Sequence, residues 1–273
     1  MNFIKKNIDK IYCIIPLFII GLLIIFALTI NKKEEQDEVT IDTTYSFYKE
    51  ELHKRYINYK KQTNLEDKNI ILKVNIGLDT PFYTNPILTK YTNTNYVLVN
   101  KYNYLPNNYV PNNLVILDEY AKPGIKLVKE AYEAFKKMAI DASLNNLNLR
   151  IVSAYRSYDY QKNLYNNYLK NDSQEVVDTY SARPGFSEHQ TGLAIDIDNG
   201  LENYNRFHIT QEFAWVKENC YKYGFILRYD LGKEHITGYK YEPWHYRYVG
   251  TDISEYIYKN KLTFEEYYHQ FID

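Results

Sequence analysis

Residues 11–30 read IYCIIPLFIIGLLIIFALTI, twenty positions without one charged side chain. At about 1.5 Å of rise per residue, a helix of that length matches a hydrocarbon core about 30 Å thick. Lys5, Lys6 and Lys10 precede the run, and the preference for basic residues on the cytoplasmic side puts residues 1–10 inside and the rest of the chain outside. A cleaved secretory signal and a buried core helix are the competing readings. The run is longer than an ordinary signal's apolar region and no A-x-A pattern follows Thr29. The expectation is therefore an uncleaved single-pass anchor in the cell membrane with an extracytoplasmic domain, cleavage being second. Cys13 lies within the apolar stretch, where it is poorly placed for lipid attachment.

The chain as a whole is 45% hydrophobic and 16% aromatic, too apolar to stay disordered. Its 33 basic residues are matched by 34 acidic ones, a net charge of -1, which argues against nucleic acid as a partner. Beyond the apolar run Cys220 is the only cysteine; no disulfide framework is available, and a small apolar helix residue is the expected role. Neither G-x-x-x-x-G-K nor G-x-G-x-x-G occurs, so no nucleotide cofactor is expected.

The charged stretch NKKEEQDE at 31–38 reads as a spacer, and Tyr45, Tyr48, Leu52, Tyr56 and Tyr59 trace a helical face to about Lys61, giving a spacer and helical stalk over 31–65. IILKVNI at 70–76 and YVLV at 96–99 have the composition of strands, with 66–95 a candidate small subdomain. Pro123 is placed to open a helix striped by Val128, Ala131, Tyr132, Phe135, Met138 and Ala142. Strands are expected over 150–154, 193–197, 225–229 and 246–249. Ser157 and Thr210 are placed to cap helices, Gly224 to end the second, and Thr263 with Glu266 to form a capping box.

The chemistry concentrates in three segments: SAYRSYDYQ at 153–161, SARPGFSEHQTGLAIDID at 181–198 and YEPWHYRYVG at 241–250. His189, Asp196 and His245 supply two imidazoles and a carboxylate, a donor set that suits zinc with a coordination position left for water. Asp196 stands among Leu193, Ala194, Ile195 and Ile197, where an unpaired buried carboxylate is costly and a cation removes the cost. Asp198 shares its strand face and is the rival ligand, but it adjoins the polar Asn199 and Gly200. His53, His208, His235 and His269 lack such a setting. Glu242 precedes His245 by three residues; zinc lowers the pKa of a bound water, and a nearby carboxylate can take its proton as it attacks a carbonyl. That is metallopeptidase chemistry.

In order and wording the three segments closely resemble the VanY-type zinc D-alanyl-D-alanine carboxypeptidases, whose pattern runs approximately S-G-Y-R-S, R-P-G-x-S-E-H-Q-x-G-x-A-x-D and E-P-W-H. The resemblance extends upstream through LVNKYNYLPNNYVPNNLV at 98–115 and covers roughly 96–250. It implies that His189, Asp196 and His245 hold zinc and that Glu242 is general base and acid. It further implies that Arg156 binds a substrate carboxylate or stabilises oxyanion charge, and that Gln161, Ser187 and Tyr239 line the substrate site. Ala154 and Phe186 replace the family's frequent Gly and His, departures that bear on specificity. SFYK at 46–49 fits S-x-x-K but has no S-D-N or K-T-G companion. The expected protein is an α+β zinc carboxypeptidase over 66–273, a small antiparallel sheet with surrounding helices carrying a mononuclear zinc site behind an N-terminal transmembrane helix. Its expected partners are peptidoglycan stem peptides or precursors and, through 11–30, the membrane. Removal of a terminal D-Ala is the first reading. An L,D-carboxypeptidase acting on tetrapeptide stems and a non-catalytic wall-binding module are the alternatives.

Overall fold

Strand β6 of the central sheet shows how the sequence builds this fold. Its residues, Ala194–Asp198, are all buried, and their alternation sends Ile195 and Ile197 into the main core while Asp196 faces the other way. A computed structural model describes residues 39–201 and 204–273. The apolar run at 11–30 and the charged spacer lie outside the described residues, among which no helix is long and apolar enough to cross a membrane.

Two short pairs come first in the chain, β1 (Ile87–Leu88) parallel to β2 (Asn103–Tyr104) and β3 (Leu114–Ile116) antiparallel to β4 (Lys126–Val128). Then β5 (Arg150–Ser153), β6, β7 (Phe225–Leu227) and β8 (His245–Tyr248) form an antiparallel sheet in the order β5-β6-β8-β7. The helices are α1 (His53–Lys60), α2 (Asp67–Ile76), α3 (Lys129–Ser143), α4 (Tyr158–Tyr168), α5 (Gln174–Val177), α6 (Gln211–Asn219), α7 (Glu234–Thr237), α8 (Thr251–Asn260) and α9 (Phe264–Phe271). The mixed α and β architecture with small antiparallel sheets agrees with the expected class. The stripe of α3 packs Ala131, Tyr132, Phe135, Met138 and Ala142 against Ile151, Ile195, Ile197 and Phe225 in one cluster. Capping follows the sequence: the side chains of Ser157, Thr210 and Thr263 accept from the amides of Tyr160, Phe213 and Glu266, and the last completes the expected box. Gly224, at φ 82°, ends the 3-10 turn Cys220–Tyr223 that follows α6.

Four expectations are corrected. Residues 70–76 are helical, not extended: they belong to α2, closed by Gly77 at φ 101°. Ile70, Ile71, Leu72, Val74 and Ile76 are buried around most of its circumference against Tyr56 of α1 and Ile236, and an apolar run buried on several sides loses the period that separates helix from strand. Residues 96–99 form no strand; the carbonyls of Asn95 and Val97 accept from the Arg247 guanidinium and that of Leu98 from the Thr89 hydroxyl, so side chains take the place of a ladder. Pro123 does not begin α3, which starts at Lys129. Between them Gly124 takes φ 79° and residues 126–128 pair with β3. The helix expected to run to about Lys61 is a 3-10 turn, Glu50–Leu52, continuing into α1, with Tyr45 and Tyr48 in the turns before it.

Candidate active site

Sheet register assembles the site. Asp196 on β6 lies directly opposite His245 on β8 and Ser153 on β5. His189 sits in the 3-10 turn Glu188–Thr191 leading into β6, which ends at Gly192 with φ 68°. A Cβ on Gly192 would come within 3.0 Å of Leu114 and Pro111, so only glycine lets the chain turn there.

The imidazoles are oriented by hydrogen bonds. His189 Nδ1 is 2.7 Å from the Ala154 carbonyl oxygen; a carbonyl only accepts, so Nδ1 carries the proton and Nε2 turns its lone pair toward Asp196 Oδ2, 3.4 Å away. His245 is held the opposite way, with Nε2 3.5 Å from Glu188 Oε2 and Nδ1 3.1 Å from Asp196 Oδ1. The two rings meet edge to face at 4.9 Å. One ligand atom from each of His189, Asp196 and His245 lies within 4.8 Å of the others, all three residues buried. This donor set fits zinc.

Electrostatics agrees with a cation-binding role. Against the cost of burial, His189 and Arg156 hold the Asp196 carboxyl well below its ordinary range. Burial, with Arg156 beside it, lowers His189 to about 4, leaving the neutral imidazole that metal binding requires; against burial, the hydrogen bonds to Asp196 and Glu188 raise His245 to about 9, so a metal ion bound there would displace its proton. Burial pushes Glu242 up to about 7, opposed by His245 and aided by Asp196; its Oε2 is 3.7 Å from His245 Nδ1. Arg156 donates through Nη2 to Asp196 Oδ2 at 2.5 Å and through Nε and Nη2 to Ser153 Oγ at 3.0 and 2.7 Å.

A cleft of about 550 Å³ opens over these groups, and Arg156, Gln161, Ser187, Tyr239 and Glu242 all line it. A larger hollow of about 740 Å³, bounded by Asn93, Lys129, Tyr223 and Tyr248, holds none of them.

Beneath the site is a second tier of charge. Arg228 donates to Glu188 Oε1 at 2.8 Å and forks onto both oxygens of Glu265 on α9 at 2.8 and 2.6 Å. Arg247 donates to Glu188 Oε1 at 3.0 Å. All four are buried. Two guanidinium groups against two carboxylates make the tier neutral, and against burial Arg228 and Arg247 keep Glu188 below the ordinary carboxylate range. Such a group orients a metal-ligating imidazole through its far nitrogen.

Comparison with known proteins gives the family. The VanY family model, described as D-alanyl-D-alanine carboxypeptidase, matches residues 124–251. The Bacillus subtilis (strain 168) protein YodJ, described as a carboxypeptidase, is 44% identical over 181 residues, which are 63% of this chain and 66% of that one. The D-alanyl-D-alanine carboxypeptidase of Enterococcus faecium is 38% identical over 144 residues, 52% of this chain and 44% of the relative. This chain thus spans at most about two thirds of either relative's length. The solved LdcB LD-carboxypeptidase is 45% identical with a TM-score of 0.60, the match covering 63% of this chain and 85% of that one. A vancomycin-resistance D,D-pentapeptidase VanY solved with Zn(II) is 32% identical with a TM-score of 0.54, covering 63% and 98%. The chain belongs to the VanY family of zinc D-alanyl-D-alanine carboxypeptidases.

Every residue that the VanY pattern singles out in the sequence lies in or beside the one cleft. Gln161 donates to the Ala182 carbonyl at 2.8 Å while its Oε1 is enclosed without a partner. The rival Asp198 is paired with Arg150 at 3.2 Å and, among the described residues, joins no metal-capable group. Among the described residues His235 joins no metal-capable group. Lys49 of the SFYK segment pairs with Asp273, away from the cleft. Glu188 and Tyr229, whose ring stands 4.8 Å from that of His245, were missed. Glu188 had a signal, its place beside His189 in the VanY segment S-E-H-Q. Arg228, Arg247 and Glu265 had none, since their pairing spans distant parts of the sequence.

Proposed function

We propose that the protein is a membrane-tethered zinc carboxypeptidase that removes the terminal D-alanine from peptidoglycan stem peptides. The observation that carries this reading is the convergence of His189, Asp196 and His245 within 4.8 Å at the floor of a cleft that also holds Glu242 and Arg156. His189 Nε2, the Asp196 carboxylate and His245 Nδ1 would hold the metal. Zinc, when bound, supplies Lewis-acid polarisation of the scissile carbonyl and a lowered pKa for water. The Glu242 carboxylate takes a proton from the attacking water and returns it to the departing amine nitrogen, acting as base and then acid. Arg156, here paired with Asp196, would be released if a cation took over that carboxylate, and its planar fork would match the free carboxylate that a carboxypeptidase must recognise. Gln161, Ser187 and Tyr239 hold the peptide along the cleft walls. The uncharged run at 11–30 supports an extracytoplasmic domain tethered beside wall precursors.

The higher identity to LdcB than to the D,D-pentapeptidase, 45% against 32%, favours a second reading, an L,D-carboxypeptidase acting on tetrapeptide stems. Mass spectrometry of products separates the two. The zinc-loaded full chain in detergent is incubated with a pentapeptide ending in D-Ala-D-Ala and, separately, with the tetrapeptide. Loss of one alanine from the pentapeptide alone supports the first reading, and loss from the tetrapeptide moves the enzyme to the second. No loss from either, with stoichiometric zinc bound, overturns both in favour of a wall-binding module.

A further inference from the structure

Lys101 is the only lysine buried among the described residues, and the chemistry above makes no use of it. Its ammonium donates to the Asp178 carbonyl oxygen and forms no ion pair among the described residues. The Asp178 carboxylate is already taken by Arg183, at 2.7 and 3.1 Å, and by the Tyr165 hydroxyl at 2.7 Å. In place of a carboxylate, Lys101 has three aromatic rings: its Nζ is 4.3 Å from the centroid of Tyr239, 5.2 Å from Phe82 and 5.3 Å from Tyr83. A cation over ring faces away from water is a strong form of this contact.

The backbone bends to allow it. Gly238 takes φ 74°, and a Cβ there would come within 2.8 Å of Cδ and Cε of Lys101. Tyr83 takes φ 65°, a left-handed conformation that is strained for a bulky residue, and in it the ring covers Arg183 at 4.0 Å and meets Phe186 at 5.1 Å. On the cleft side, the Tyr239 ring packs on Tyr229 at 4.7 Å, and Tyr229 on His245 at 4.8 Å. The Tyr239 hydroxyl is enclosed; the Tyr83 hydroxyl is near, but no well-formed hydrogen bond joins them.

We propose that Lys101 is a positioning residue for the substrate cleft: its ammonium, held against the Tyr239 ring, fixes that ring on Tyr229 and so sets the cleft wall that these two tyrosines present to a peptide. This rests on the cleft taking a stem peptide. Burial lowers the amine to about 8, with Asp178 raising it and Arg183 lowering it further. The other titratable groups facing it are phenols, and burial raises Tyr83 to about 12 and Tyr239 well above its ordinary range. The cation is therefore present below pH 8 and lost above it.

Calorimetry on the zinc-loaded full chain carrying Glu242→Ala, which blocks turnover, measures pentapeptide affinity across that pH range with and without Lys101→Met. The Lys101 chain should weaken as pH rises through about 8. The methionine variant should bind roughly tenfold more weakly at neutral pH, the order expected for a lost desolvated cation–π contact, and the two should converge at alkaline pH. Lys101→Arg, charged throughout, should remove the alkaline weakening, and it tests the same point if methionine does not fold. An offset that is the same at every pH, unchanged affinity in Lys101→Met, or alkaline weakening retained in Lys101→Arg overturns the proposal. So does the absence of peptide binding by the Lys101 chain. The turnover assay above stands or falls separately.

Discussion

The site face of the four-stranded sheet and the core of the α1–α2 pair are built from opposite materials. On that face, opposite the apolar cluster that α3 covers, Glu188, Arg228, Arg247 and Glu265 are buried as an interlocked, neutral group, with Asp196 and Glu242 enclosed beside them. Between α1, α2 and the loops around them the buried cluster is Ile41, Phe47, Tyr56, Ile70, Ile71, Leu72, Val74 and Ile76 with Ile236, and the polar exception is Tyr56 donating to Asn75 at 2.6 Å. Burying charge costs several kcal/mol per ion before any partner repays it, whereas apolar burial returns about 25 cal/mol per Å² with no demand on angle. Here the buried charge serves direction, orienting the imidazole of His245 through Glu188. The helical pair has only to hold together.

That contrast can be broken at three points. Glu242→Ala should leave zinc content and thermal unfolding near wild type while cutting kcat by about 10²–10⁴, the range for a lost general base; metal analysis beside steady-state kinetics checks it. Ile71→Ala in the apolar pair should behave in reverse, costing about 2–5 kcal/mol of stability in a denaturant titration while kcat at low temperature is unchanged. A loss of kcat there would show that the helical pair does more than pack. Glu188→Gln keeps the shape of the second tier but removes a charge, and should weaken zinc binding about 10–100-fold, read by competition with a chelator. Unaltered zinc affinity would reduce the charged tier to structural filling.

The same contrast explains what could be read in advance. Asp196 declared itself because a carboxylate inside LAIDI is expensive wherever that strand lies, and the caps at Ser157, Thr210 and Thr263 declared themselves because a hydroxyl before an amphipathic run has a local task. IILKVNI carried no such mark, since both a strand and an all-round buried helix satisfy it. The irregular path of 95–99 depends on Arg247, about 150 residues away, and no local pattern encodes it. The carboxylates and imidazoles of the candidate site were legible residue by residue. The tier that aims them was not, because an arginine without its partner looks like any surface arginine.

Glu265 gives this tier a practical edge. It lies fourteen residues past the end of the family match at 251, yet it supplies both oxygens that Arg228 grips. A gene trimmed to the recognisable family segment would keep every residue proposed to touch metal or peptide and leave a fully enclosed guanidinium with one carboxylate fewer. Where such a protein may be cut is decided by electroneutrality, and similarity draws the line too early.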